Sequence, residues 1–261
     1  MPAKEAMQIQ TEMGAAGRDA ETDSADGGIV VDGARKSFGG VEALAGVSLR
    51  VAPGGIVAVV GPSGCGKSTL LECVCGLQRP DSGTVSSPPA ALMPQRDALL
   101  PWLSALDNAA LALRAVGETR PRARARAHEH FEEFGLTGFE GARPSELSGG
   151  MRQRVAFLRT LLTGRSVLCL DEPFGALDAI TRGQMQQWLA DALDREPRTV
   201  LLVTHDVEEA ALLADSIVLL SRRPARVVTE LSVDLPRPRR RSDPAIVALR
   251  ERALQALGDP A

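Results

Sequence analysis

The chain has 261 residues, 44% of them hydrophobic and 24% charged, which is the make-up of an ordinary globular protein with a substantial core. A net charge of -3 gives no general electrostatic case for nucleic-acid binding, and an aromatic content of 3% without tyrosine leaves little for a base-stacking platform. No apolar run approaches the roughly 18 residues that span a bilayer, and the acidic start (Glu5, Glu12, Asp19, Glu21, Asp23) has no secretory apolar region, so a cytoplasmic protein is expected.

Residues 1–27, rich in Ala, Gly, Glu, Asp and Thr and without periodicity, read as a disordered tail. Short strands are expected over 29–31 and 47–51, separated by a turn at Lys36-Ser-Phe-Gly-Gly. That places Phe38 in a loop, as either a small core anchor or a ring stacked on a nucleotide base. A buried strand over 55–60 then runs into Gly61, Pro62, Ser63, Gly64, Cys65, Gly66, Lys67, Ser68 and Thr69, followed by a helix over 70–77. These nine residues fit G-x-x-x-x-G-K-[ST]. Glycines let successive N–H groups turn inward around a phosphate, the helix adds its own unpaired N–H groups, Lys67 supplies a cation and Ser68 a hydroxyl suited to magnesium.

From Leu103 the apolar spacing turns helical, and a further helix is expected over 121–134. Its Arg122, Arg124 and Arg126, followed by Glu129, Glu132 and Glu133, read as a solvated face. Ser148 is placed as the cap of the next helix, and with Gly149 and Gly150 it leaves that helix end open to an anion, a second candidate phosphate site. The strand at 166–170 ends in Asp171 and Glu172. In an open parallel sheet ligands sit beyond the carboxyl ends of the strands, so Asp171 is suited to hold magnesium and Glu172 to polarise water; the alternative is a pair of helix-capping acids. A helix is expected over 179–193. The strand at 199–204 ends in His205, a capping histidine on its own but one whose position at the same sheet edge favours contact with a terminal phosphate. Closing strands are expected near 217–220 and 226–233, then an Arg-rich solvated linker at 236–241 and a helix over 244–257. Cys65, Cys73, Cys75 and Cys169 read as packed free thiols, because a Cys-x-Cys pair on a helix points its thiols apart.

Over residues 28–235 these ordered motifs resemble the ATP-binding subunit of an ABC transporter. Residues 61–69 are similar to its phosphate loop (Walker A), Gln95 to the Q-loop, residues 147–153 (Leu-Ser-Gly-Gly-Met-Arg-Gln) to the signature, and residues 167–172 to the Walker B strand with its glutamate. Asp178 is similar to the D-loop aspartate, His205 to the switch histidine, and Phe38 to the base-stacking aromatic. The stretch Gln95-Arg-Asp-Ala-Leu-Leu-Pro-Trp102 and the later Arg-Arg-Pro-Ala-Arg226 resemble the nitrate, sulfonate and taurine importer branch, which includes carriers of thiamine-precursor pyrimidines.

The resemblance implies an α/β P-loop NTPase fold with a mainly parallel sheet core, an N-terminal antiparallel β portion and a helical subdomain at about 97–162, within an ATPase domain at 28–235 and before a short extension at 236–261. It implies ATP and Mg2+ as cofactors, with Ser68, Gln95 and Asp171 around the metal and Lys67, Gln95, Glu172 and His205 in hydrolysis. Ser148, Gly149, Gly150 and Asp178 would serve the nucleotide across a head-to-tail dimer with a second copy or a paralogous ATPase. Its other expected partners are an integral membrane permease and, indirectly, a solute-binding protein, with the chain at the cytoplasmic face of the membrane. A soluble ABC ATPase acting as a mechanical or scaffold module is the alternative.

Overall fold

The computed structural model describes residues 27–258. The tail expected over 1–27 therefore lies outside the described residues except for Gly27, as do the last three residues of the chain. Among the described residues the strands are β1 (Ile29–Phe38), β2 (Val41–Val51), β3 (Ile56–Val60), β4 (Ser82–Ser86), β5 (Ala90–Met93), β6 (Val167–Asp171), β7 (Thr199–Thr204), β8 (Ser216–Leu220) and β9 (Val227–Ser232). The helices are α1 (Lys67–Val74), α2 (Ala105–Ala109), α3 (Leu111–Ala115), α4 (Arg120–His128), α5 (Gly149–Leu161), α6 (Ala179–Arg195), α7 (Val207–Leu213) and α8 (Pro244–Gly258).

Six strands form a sheet in the order β5-β6-β7-β3-β8-β9, and three form a second sheet in the order β2-β1-β4. The first is parallel from β5 to β8, with β9 antiparallel at its edge; the second is antiparallel throughout. Every residue of β3, β6 and β7 is buried, as a parallel sheet covered on both faces requires. Alternate side chains of one strand feed opposite cores. Ile56, Ala58 and Val60 join Leu168, Leu202 and the aromatic residues of the helical side. Val57 and Val59 join Cys169, Val203, the α1 leucines and the inner face of the antiparallel sheet. This is the mainly parallel α/β core with an N-terminal antiparallel portion that the motifs implied.

Several local expectations are corrected. The first two strands have ten and eleven residues against three and five in their apolar runs, because Gly33 (φ 58°) sits in an irregularity between Val31 and Ala34, Gly46 (φ 84°) in one between Ala45 and Val47, and a bulge glycine reads as a turn. Phe38 is not in a loop: it ends β1 and pairs with Val41 across a two-residue hairpin at Gly39 and Gly40, both at positive φ. The helix expected over 121–134 stops at His128, and the helical run from Leu103 resolves into α2 and α3. All four cysteines are free thiols, as expected.

Two arginine clusters do more than face solvent. Asp107, buried in the first turn of α2, is held by Arg120 (2.9 Å) and Arg124 (2.8 Å), while Arg126 pairs with Glu118. Arg237 pairs with Asp215, and Arg239 donates to the carbonyls of Ala211, Ala214, Val233 and Leu235. The Arg-rich segment is therefore a clamp over the end of α7 rather than a solvated linker, a contact between distant residues that a local charge pattern does not reveal.

The Arg120 hydrogen bond, with Arg124 beside it, holds the Asp107 carboxyl down at about 2 against burial, which pushes it up. A depressed carboxylate stabilises the fold above its unfolded value, and that stability is lost as pH falls from about 4 towards 2. Asp107→Asn is expected to cost up to about 2 kcal/mol at pH 7 and to flatten the pH dependence between 4 and 2, read from urea melts across that range. An unaltered acid slope would show that the pair is energetically idle.

Candidate active site

The carboxyl end of β3 opens into the loop at 61–66, and the backbone there admits only glycine at its last position. Gly66 has φ 132°, and a Cβ on it would lie 2.7 Å from the carbonyl oxygen of Ala43. Lys67 begins α1 and is buried; its Nζ donates to the carbonyls of Gly61 (2.7 Å) and Pro62 (3.0 Å). An ammonium has three donors, so two fix its position and one remains for a ligand. Ser63, Gly64, Gly66, Lys67, Ser68 and Thr69 line one wall of a cavity of about 270 Å³.

The cavity is also lined by Gln95, after β5, and by Asp171 and Glu172, at the end of β6. Asp171 is buried, which pushes its carboxyl up, while a hydrogen bond from the Ser68 hydroxyl opposes that. Glu172 occupies the left-handed region at φ 47°, a conformation costing of order 1–3 kcal/mol in a residue that carries a Cβ. The cost is met by its N–H donating to Val203 (2.8 Å) and its carbonyl accepting from Gly175 (3.1 Å). Its Oε2 accepts from Gln95 Nε2 (3.2 Å) and lies 3.3 Å from His205 Nδ1. Sheet topology thus brings Lys67, Ser68, Gln95, Asp171, Glu172 and His205 together. Ser68, Gln95 and Asp171 supply hydroxyl, amide and carboxylate oxygens, a donor set that fits a hard divalent cation such as Mg2+.

Other expected site residues do not line this cavity. Phe38 is 45% exposed with Lys36 Nζ 5.5 Å from its ring centroid, and it is not among the residues that line the cavity. Cys65 is buried in the second core beneath the loop. Ser148 caps α5 by accepting from Met151 N–H (3.2 Å), and Gly150 packs against Leu177. Asp178 caps α6 through Ile180 and Thr181 N–H groups. None of Ser148, Gly149, Gly150 and Asp178 lines the cavity of their own chain.

Sequence reasoning missed three features. Arg152 pairs with Asp97 (2.9 Å) and Gln153 donates to the Pro173 carbonyl (3.1 Å), so α5 is tied both to the segment after Gln95 and to the turn after Glu172. Glu209, buried beside His205 near Arg182 and Asp206, has its carboxyl pushed up to about 8 by burial. Arg223 lines the same cavity as Lys67 and donates to the Gly64 carbonyl (3.0 Å). No local signal marks these, since each depends on a contact between distant parts of the chain.

Residues 44–175 match the family described as ABC transporter. The chain is also 48% identical over 218 residues to an aliphatic sulfonates import ATP-binding protein of Rhodococcus jostii, covering 81% of this chain and 85% of that one. The chain belongs to the ABC transporter family. Another relative, a formylaminopyrimidine import ATP-binding protein of Halalkalibacterium halodurans, is 45% identical over 190 residues, covering 72% of this chain and 76% of its own. Among solved structures, the ATP-binding cassette MJ0796, in a dimeric post-hydrolysis state bound to ADP and Pi, superposes with a TM-score of 0.73 at 28% identity, covering 80% of this chain and all of that one. This ABC cassette is accordingly an ATP-binding ATPase with the ABC fold. Among its described residues no helix is long and apolar enough to cross a membrane.

Proposed function

We propose that this ABC ATPase is the energy-supplying subunit of an importer, working at the cytoplasmic face of the membrane and driving uptake of a small solute through a separate permease. The convergence of Lys67, Asp171 and Glu172 on one cavity carries the reading. The names of its relatives, importers of aliphatic sulfonates and of formylaminopyrimidine, support a sulfonate-like or pyrimidine-precursor solute. A solute-binding protein delivering that solute to the permease belongs to the same proposal.

In this reading the loop amides and the third donor of Lys67 hold the outer phosphates of ATP, with Phe38 against the base. Ser68, Gln95 and Asp171 hold Mg2+, which would neutralise charge developing on the phosphates when bound. Glu172 Oε2 is occupied by Gln95 and His205, so its Oε1 is left to take the proton of an attacking water. His205 senses the terminal phosphate from the same edge. Ser148 and Gly149, with Gly150, lie apart from the cavity of their own chain and close the site of a partner cassette in a head-to-tail dimer, with Asp178 at that junction. The stretch at 97–162, tied through Arg152 and Gln153 to Asp97 and Pro173, forms a helical subdomain that relays the state of the site to the permease.

The test is recovery of partners from native membranes on Glu172→Gln protein loaded with ATP and magnesium. A multi-span permease among them is the expected result. Recovery of soluble proteins or nucleic acid alone would overturn the transport assignment and leave a mechanical or scaffold ATPase.

A further inference from the structure

The geometry points to Arg223 as a second cationic ligand for the phosphate chain of the nucleotide, sharing one cavity with Lys67. The inference rests on the nucleotide placement proposed above and adds a residue that lies outside every phosphate-binding motif of the sequence. Arg223 lies 159 residues along the chain from Gly64, yet its Nε donates to the Gly64 carbonyl at 3.0 Å. The segment carrying it is held in place. Ala225 N–H donates to Ala43 and Ala45 N–H to Ala225, both at 2.9 Å, and Ser221 Oγ accepts from Arg226 N–H at 3.0 Å. Arg223 is thus presented by a loop stitched to β2, next to the phosphate loop itself.

Its two terminal nitrogens have neither a hydrogen bond nor a carboxylate partner among the described residues, whereas Arg152, Arg237 and Arg239 spend theirs on carboxylates and carbonyls. The charges lining the cavity explain why a cation is needed there. Asp171 and Glu172 bring two carboxylates, and among the lining residues Lys67 and Arg223 are the two cations. With Asp171 given to Mg2+ in the reading above, Lys67 and Arg223 are the two lining side chains that can offer positive charge directly to a polyphosphate. A guanidinium anchored through Nε keeps its planar pair of terminal N–H₂ groups for bidentate contact with phosphate oxygens, a geometry that lysine does not reproduce.

The experiment compares wild type with Arg223→Ala, Arg223→Gln and Arg223→Lys in direct binding of MgATP and of magnesium pyrophosphate, with melting temperatures recorded alongside. Gln keeps a donor for the Gly64 carbonyl and discards the charge; Lys keeps the charge. Charge-assisted hydrogen bonds set the expected loss at about tenfold or more in affinity for both ligands in the Ala and Gln variants, with Lys, which keeps the charge but not the bidentate fork, falling between Gln and wild type. A Gln variant that binds like wild type, or a loss in Ala explained by a lowered melting temperature, would reduce Arg223 to a structural tie on Gly64 and overturn the proposal. Wild-type protein that bound neither ligand would instead overturn the nucleotide placement on which it rests.

Discussion

Replacing Glu172 with Gln is expected to lower kcat for ATP hydrolysis by about 10²- to 10⁴-fold, the usual contribution of a positioned general base. The change keeps the size and hydrogen-bonding reach of the side chain, so the contacts with Gln95 and His205 and the unusual backbone of residue 172 are preserved. It removes only the capacity to take a proton. Nucleotide affinity should therefore stay within a few-fold of wild type, since phosphate is held by Lys67 and the loop. Steady-state hydrolysis together with equilibrium binding checks both halves. Turnover close to wild type would show that another group accepts the proton, whereas loss of binding would show that Glu172 shapes the pocket rather than the chemistry.

The second large effect is structural. Phe157 of α5 is buried, with its ring 6.0 Å from Phe174, 6.2 Å from Phe134 and 5.9 Å from Trp188. It sits where the helix that begins at Ser148 packs against the turn that follows Glu172. Truncation to Ala deletes the ring and leaves a cavity between elements already tied by Gln153 and Pro173, so collapse to fill it is restricted. Such changes cost about 3–5 kcal/mol. For a chain of this size that is a fall in Tm of on the order of 10 °C. Phe157→Leu, which retains most of the volume, should lose less than half as much. Thermal melts of both variants decide the point, and equal losses would mean that the ring contacts, rather than the volume, carry the energy.

Much of the parallel core was legible in the sequence because its cause is local. A strand buried on both faces must be largely apolar, and β3 and the interiors of β6 and β7 are. Each ends at the residue where the pattern breaks, in Gly61, in Asp171 and Glu172, and in His205. The phosphate loop was equally legible, since its glycines, Lys67 and Ser68 are contiguous and each answers one requirement of a phosphate cradle. The lengths of β1 and β2 were not, because a bulge glycine and a turn glycine look alike in one dimension while only cross-strand pairing distinguishes them.

What the sequence by itself determined, then, was chemistry carried within one stretch: the loop that binds, the acids that end a strand, the helix caps at Ser148 and Asp178. Tertiary structure alone decided which stretches meet. It put Gln95 and His205 on the same oxygen of Glu172, brought Arg223 to Gly64, set Arg120 and Arg124 on the buried Asp107, and turned the arginines at 237–241 into a clamp on α7. The physical reason is that a hydrogen bond or ion pair between distant residues depends on strand order and chain crossover. Neither is written in local periodicity or in the spacing of charges.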